Sequence, residues 1–262
     1  MATPVDRDLS RIVPASQDHA EEMTQMRLFS LAAAFVFAVL AATGTSYAQS
    51  APSQPAPSLS APAKPAPTAA APIDFDYYLV SLSWSPSFCE AKGDSQKAAE
   101  CARPYGFMLH GLWPQSDKGF VPSCSGTADR LPDALIRAQL DIFPAFGLVI
   151  HEWRTHGACS GLDAASYFKA ARAAFLKVKV PDTFKSMPKP ATVDVAEVRK
   201  AFVAANPGLD DTEFAITCDP PRLSEVRVCV SKDLSGFRPC PKVARSTCRE
   251  AKVYVPAIRG AR

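Results

Sequence analysis

Residues 151–161 read HEWRTHGACSG, which brings two imidazoles, a carboxylate, a guanidinium and a cysteine into eleven positions. On a helix at 100° per residue, Glu152 and His156 are four apart and share a face, as do His151 and Thr155. The spacing therefore holds a base beside a carboxylate. A zinc-protease helix is the competing pattern, because HExxH sets its histidines at i and i+4 on the metal's side. Here the histidines are five apart, roughly 140° around an α-helix, which disfavours shared ligation. Gly157 directly after His156 is expected to cap or stop the helix, so the imidazole sits at an open end, and Cys159 can pin the turn that follows. The segment is built to present its groups rather than to bury them.

Working outward, residues 75–84, FDYYLVSLSW, alternate large apolar with smaller side chains and predict a strand. Ser85 and Pro86 end it, and Cys89 opens a loop that Cys101 could close. A second strand is predicted over 105–109, with HGLWPQ (110–115) at its end. There Gly111 and Pro114 bracket Leu112 and Trp113 in a stretch expected to leave regular structure. Residues 131–143 carry a helical period, and 146–150 run apolar into the opening stretch. Asp163 is placed to cap a helix to about Val178 whose inner face is Phe168, Ala171, Phe175 and Leu176. A further helix is predicted over 195–205, closed by Asn206, Pro207 and Gly208. The remainder predicts strands at 213–217, 225–230 and 252–255, with no internal repeat.

Ahead of this, residues 1–25 are polar and form an upstream extension, with Met23 or Met26 as alternative starts. Arg27, an apolar run over 28–42 and a small-residue exit ending at Ala48 describe a secretory signal peptide over 26–48. An uncleaved anchor is the alternative. Residues 49–72 are almost entirely Ala, Pro and Ser, a spacer that cannot bury a core, so the folded domain is expected over 73–262. Residues 1–48 hold three arginines and five acidic residues; their removal leaves 26 basic against 21 acidic, a net +5. That balance tolerates a polyanion without demanding one. All eight cysteines, 89, 101, 124, 159, 218, 229, 240 and 248, lie beyond the spacer, and none forms a CxxC pair. An even count in an exported domain predicts four disulfides and an oxidising compartment, periplasmic or extracellular.

The chain has four histidines, and after loss of His19 the three that remain, His110, His151 and His156, all fall in HGLWPQ and HEWRTH. Such imidazoles can supply a proton acceptor and a proton donor near neutral pH. No serine in these motifs is an obvious nucleophile, and Cys159 is expected in a disulfide, so covalent catalysis is disfavoured. Two imidazoles without metal or nucleophile suit a substrate that carries its own, as RNA does in its 2′-hydroxyl.

FMLHGLWPQ and HEWRTHGAC closely resemble the two active-site segments of the ribonuclease T2 family, and SWSPSFC (83–89) resembles that family's N-terminal segment. The resemblance covers about 75–255. It implies an α+β fold, a central antiparallel sheet flanked by helices and stapled by disulfides. It also implies an endoribonuclease that cleaves single-stranded RNA through a 2′,3′-cyclic phosphate with no metal or other cofactor. A monomer is expected, without stable membrane association once the signal is cleaved. On that reading His156 is the general base, His110 the general acid, and Glu152 a stabiliser of the transition state. His151 contacts the phosphate, Trp113 stacks on a base, and Trp153 packs in the core. The family usually has a lysine where this chain has Thr155, and Arg154 is the candidate replacement. A catalytically weak RNA-binding or inhibitory protein of the same fold is the alternative.

Overall fold

An aromatic-rich run alternating with serines, Tyr77–Trp84, forms β1, and the sheet is laid down around it. The computed structural model describes residues 71–260 apart from 95–96, 119–120 and 125–127. The upstream extension, the signal peptide and nearly all of the spacer lie outside the described residues. Short helix α1 (Ser85–Phe88) follows β1, then β2 (Phe107–Gln115), α2 (Asp133–Arg137), α3 (Phe146–Glu152) and α4 (Ala164–Lys177). The second half adds β3 (Ala191–Asp194), α5 (Val195–Ala205), β4 (Phe214–Asp219), β5 (Arg222–Ser231), α6 (Pro241–Ala244) and β6 (Lys252–Val255).

The six strands make one sheet in the order β2-β1-β5-β6-β3, with β4 also on β5. Every pairing is antiparallel except that of β5 with β6, which meet in parallel at Arg222 and Tyr254. The expected α+β class with a helix-flanked, largely antiparallel sheet is what forms. Side chains alternate across the strands. Tyr78, Val80, Leu82 and Trp84 of β1 and Val226, Val228 and Val230 of β5 enter the main core with Phe143, Tyr167, Phe168 and Phe202. The opposite face carries a small cluster of Tyr77, Leu79, Cys229 and Cys240, against which Trp113 packs. It also carries the polar positions Ser81, Ser83, Glu225 and Arg227.

β2 does not stop before HGLWPQ, as expected, but runs through it. Its register against β1 slips by one residue: Leu109 faces Leu82 while Gly111 faces Ser81. His110 is the extra residue of a β-bulge. Strict alternation would send Leu109 and Leu112 to opposite faces, yet both are fully buried in the main core. Hydrogen bonds to β1 continue on either side, which is why Gly111 and Pro114 do not break the strand.

Other boundaries shift for local reasons. The helix expected over 131–143 shortens to α2, because the Ile142 carbonyl leaves the helical pattern to accept from Leu109 N–H at 2.9 Å. Asp163 caps α4 as expected, its carboxylate accepting from Ser166 N–H at 2.8 Å. The inner face of α4 is Tyr167, Phe168, Ala171 and Ala174, with Phe175 half-buried; Leu176, expected inside, is 56% exposed. Leu176 lies 140° round the helix from Ala171, whereas Tyr167 is one full turn before it. α5 has the expected bounds, but β3 carries too short an apolar pattern to be seen in the sequence. The disulfides are Cys89–Cys101, Cys124–Cys159, Cys218–Cys248 and Cys229–Cys240.

Buried Tyr167 donates its hydroxyl to the Leu112 carbonyl at 2.8 Å, tying α4 to β2 just beyond the bulge. Tyr167→Phe leaves that acceptor without its donor and is expected to cost about 1–3 kcal/mol, read as a lowered urea midpoint of the oxidised protein with an unchanged m-value.

Candidate active site

The bulge re-aims His110 onto the polar face of the sheet. There its Nδ1 lies 2.5 Å from Glu225 Oε1. Trp113, three residues on in β2, points its indole N–H at Glu152 Oε2, 2.8 Å away. Glu152 ends α3 and is 1% exposed. Gly111 lies under this contact, and a Cβ there would collide with both the carboxylate and the indole nitrogen. Glycine at 111 is therefore a requirement of the close approach.

The helical run ends at Gly157, as the glycine after His156 suggested, but its last turn is not α. α3 passes into a π turn, Trp153–Gly157, in which Ala158 N–H donates to the Trp153 carbonyl five residues back at 2.8 Å. A π turn spreads its residues over i→i+5 bonds, so positions five apart come closer in bearing than the 140° of an α-helix. His156 lies against Trp113 with ring centroids 5.5 Å apart, and His110 against the same ring at 5.2 Å. The turn is pinned from outside by Cys124–Cys159 and by Cys124 N–H donating to the Thr155 carbonyl at 2.9 Å.

His110, Trp113, Glu152 and His156 thus meet in one centre. His151 stands at its rim, with Nδ1 3.4 Å from Thr155 Oγ1, and the positive charge of its protonated form acts on His156. Arg154 is exposed and joins none of these contacts. The cation brought to the imidazoles is Arg227, which donates to Glu225 Oε2 at 2.7 Å and lies 5.6 Å from the Trp113 ring centroid. Trp153 is buried in the core as expected. Glu225 and Arg227 are the members that sequence reasoning missed. Their signal was present: two charges alternating with valines in EVRV, inside a strand otherwise apolar enough to be central.

These surroundings set the charges. Burial pushes the Glu152 carboxyl up to about 7, against the opposing pull of His110 and the Trp113 hydrogen bond. Burial also brings His156 down to about 4, with the positive charges of His151 and His110 acting in the same direction. Burial would lower His110 too, but the hydrogen bond and charge of Glu225, with Glu152 beyond, outweigh it and the net displacement is upward. Glu225 is held below its ordinary value because His110 and Arg227 overcome its burial. Near neutral pH one imidazole is therefore kept unprotonated and the other is drawn toward its cationic form.

A cleft of about 550 Å³ opens beside His110, walled by Ser87, Phe88, Glu100, Leu148, His151 and Glu225 among others. His156 does not line it.

Two imidazoles of opposite tendency on HGLWP and HEWRTH segments agree with a match to the Ribonuclease T2 family model over residues 75–240. The chain belongs to the ribonuclease T2 family. This T2 family member is 42% identical over 98 residues to a ribonuclease of Aeromonas hydrophila, a match covering 37% of this chain and 44% of that one. A probable ribonuclease of Haemophilus influenzae is 36% identical over 121 residues, covering 41% and 44%. The match thus spans less than half the length of these two relatives. Ribonuclease DdI of Dictyostelium discoideum is 27% identical over 196 residues, 68% of this chain and 83% of that one. Among solved structures, the S-like ribonuclease trichomaglin superposes with a TM-score of 0.56 at 22% identity, covering 71% and 99% of the two chains. RNase NT in complex with 5′-AMP gives 0.51 at 20%, covering 71% and 100%. At these identities the likeness establishes the fold.

Gly111→Ala is expected to break the Trp113–Glu152 contact while leaving the disulfide-bonded fold intact. The indole N–H resonance of Trp113 should move, with the far-UV dichroism unchanged; a stationary resonance would show that the contact does not need glycine.

Proposed function

We propose that this protein is a metal-independent endoribonuclease that cleaves single-stranded RNA by transphosphorylation, in the periplasm or outside the cell. The observation that carries this reading is the pair of imidazoles packed against Trp113 with oppositely displaced basicity. An enzyme whose substrate brings its own nucleophile needs one base and one acid at the same pH. His156, kept neutral down to about pH 4, takes the proton of the 2′-hydroxyl as that oxygen attacks phosphorus. His110, whose Nδ1 is occupied by Glu225, gives the proton on its other ring nitrogen, Nε2, to the departing 5′-oxygen. The products are a 2′,3′-cyclic phosphate and a free 5′-hydroxyl, and water then opens the cycle with the two roles reversed.

Glu152 fits the crowded phosphorane between them. With its carboxyl raised to about 7 it is largely protonated in mildly acidic solution, and one oxygen is already fixed by Trp113. A neutral carboxyl donates a hydrogen bond to a phosphoryl oxygen where a carboxylate would repel it. His151 at the rim contacts the phosphate, as does Arg154 if its side chain turns inward. Trp113 stacks a base on whatever part of its half-buried ring RNA reaches. Because the cleft borders the acid His110 and not the base His156, it receives the nucleoside whose 5′-oxygen leaves.

The metal-independent reading is supported by the donor sets. Among the described residues, the triads of close His, Cys, Asp and Glu donors, Cys89–Glu100–Cys101 and Cys218–Cys248–Glu250, are built on sulfurs that are tied up in disulfides. Those four disulfides suit an oxidising compartment, and one chain supplies every group of the centre, so a monomer suffices.

The test is cleavage of a defined single-stranded RNA by the oxidised protein in EDTA, with mass spectrometry of the ends. Fragments ending in 2′,3′-cyclic phosphate are expected, with His110→Ala and His156→Ala each slowing the reaction by about 10²–10⁴-fold. Activity lost in EDTA and restored by zinc would sink the reading. The same groups fix a pH profile. kcat/KM should rise through about pH 4 as His156 loses its proton and fall from about 7 upward as Glu152 and the upward-displaced His110 lose theirs. Stopped-time assays from pH 3 to 9 measure both limbs.

A further inference from the structure

Resting on the ribonuclease reading, we infer that Glu225 is the positioning residue for the acid: its buried carboxylate fixes the His110 ring and commits Nε2 to the proton that leaves. The geometry is specific. Glu225 is 6% exposed and lies in β5, two strands from β2. Its partner residue on β1 is Ser83, and that of Arg227 is Ser81; Ser81 in turn faces Gly111 of β2. Serines on the intervening strand leave low ground over which the bulged His110 reaches across β1 to β5. The Ser81 hydroxyl has no hydrogen-bond partner among the described residues, so it is space rather than a bond that this position supplies.

One oxygen of Glu225 meets His110 Nδ1 at 2.5 Å, and the other takes Arg227 Nε at 2.7 Å and Nη2 at 2.6 Å. The carboxylate is gripped from both sides and cannot swing. An imidazole whose Nδ1–H is committed to an anion can present only Nε2, in one plane and one tautomer. The ordinary alternative is a buried ion pair that merely holds β2 and β5 together. That alternative is weak on its own terms, because β1 already hydrogen-bonds to both strands and a buried charge pair is poor value as a staple. The groups that face His110 are Glu225 and Arg227 from β5, Glu152 from α3, His156 from the π turn and Glu100 from the turn before β2, with His151 sharing the cleft. Of these only Glu225 touches the ring's nitrogen.

The experiment compares Glu225→Gln and Arg227→Gln with the wild type by the pH profile of RNA cleavage and by NMR titration of His110 without RNA. Glutamine keeps the volume and an acceptor oxygen but not the charge. Glu225→Gln should lower kcat by about 10²-fold, the lower end of what a positioned acid supplies, with KM within about twofold. The basic limb and the His110 titration should both move to lower pH. Arg227→Gln should move them the other way, since the guanidinium opposes protonation of His110. It keeps the proposal testable should Glu225→Gln not fold. Opposite displacements are not what loss of a structural staple produces. An active wild type whose His110 titration and basic limb are unmoved in both variants overturns the role of Glu225. A correctly oxidised wild type that cleaves nothing overturns instead the ribonuclease reading on which it rests.

Discussion

Two glutamates sit nearly out of reach of water on either side of the imidazoles, and how each is compensated decides the charge on everything near them. Removing a carboxylate from water is expensive unless partners replace the solvent. Glu225 has a guanidinium on one oxygen and an imidazole on the other, so it stays ionised despite its burial. Among the described residues Glu152 is hydrogen-bonded by the indole N–H of Trp113 alone, and it holds a proton more readily than an ordinary carboxyl. The same side chain in two enclosures thus gives one fixed anion and one neutral donor. The imidazole touching the anion is drawn toward its cation, and the one sharing its pocket with other rings is pushed toward neutrality. The contrast in charge between the two imidazoles follows from burial and partners alone.

The sheet makes this possible by having two unlike faces. One is continuous with a core of large aromatic and aliphatic side chains from β1, β2, β5, α4 and α5. The other carries little apolar packing beyond Tyr77, Leu79 and the Cys229–Cys240 bridge. Stability is concentrated on the first face, and the second is free to hold charges whose desolvation would otherwise weaken the fold. Trp113 joins the two functions: its ring packs on the small cluster, and its N–H anchors a carboxylate.

Much of this was legible in the chain. HGLWPQ and HEWRTH stood out by their histidines and do meet in one centre, and α5 and the Cys89–Cys101 loop are set by neighbours a few residues away, which is the range over which periodicity and turn chemistry speak. The failures have the opposite character. Glycine and proline within HGLWPQ suggested an interruption, but tertiary pairing with β1 carried the strand through them. The glycine after His156 did mark the helix end, but nothing local foretold that the last turn widens into a π turn held from outside by a disulfide. Glu225 finds His110 across 115 residues of chain, and no local pattern can encode such a meeting. What could have been noticed is the oddity of acid and base alternating with valine in a run bound for the middle of a sheet. An unexplained cost in a sequence is a hint of function.

The bulge at His110 also separates the protein's chemistry from its architecture in an uneven way. Leu109 and Leu112 hold the strand in the core whatever stands between them at 110. Descendants that exchange the histidine can therefore keep a folded, disulfide-bonded body without the imidazole. Loss of one residue between those leucines is no harsher. It leaves them two apart, which regular alternation puts on one face, so the strand closes into an unbulged ladder with both leucines still facing the core and Trp113 still facing the polar side. The bulge is thus dispensable to the architecture and needed by the imidazole alone, and lineages of such a fold that have shed the chemistry should differ here by substitution and by a one-residue gap alike.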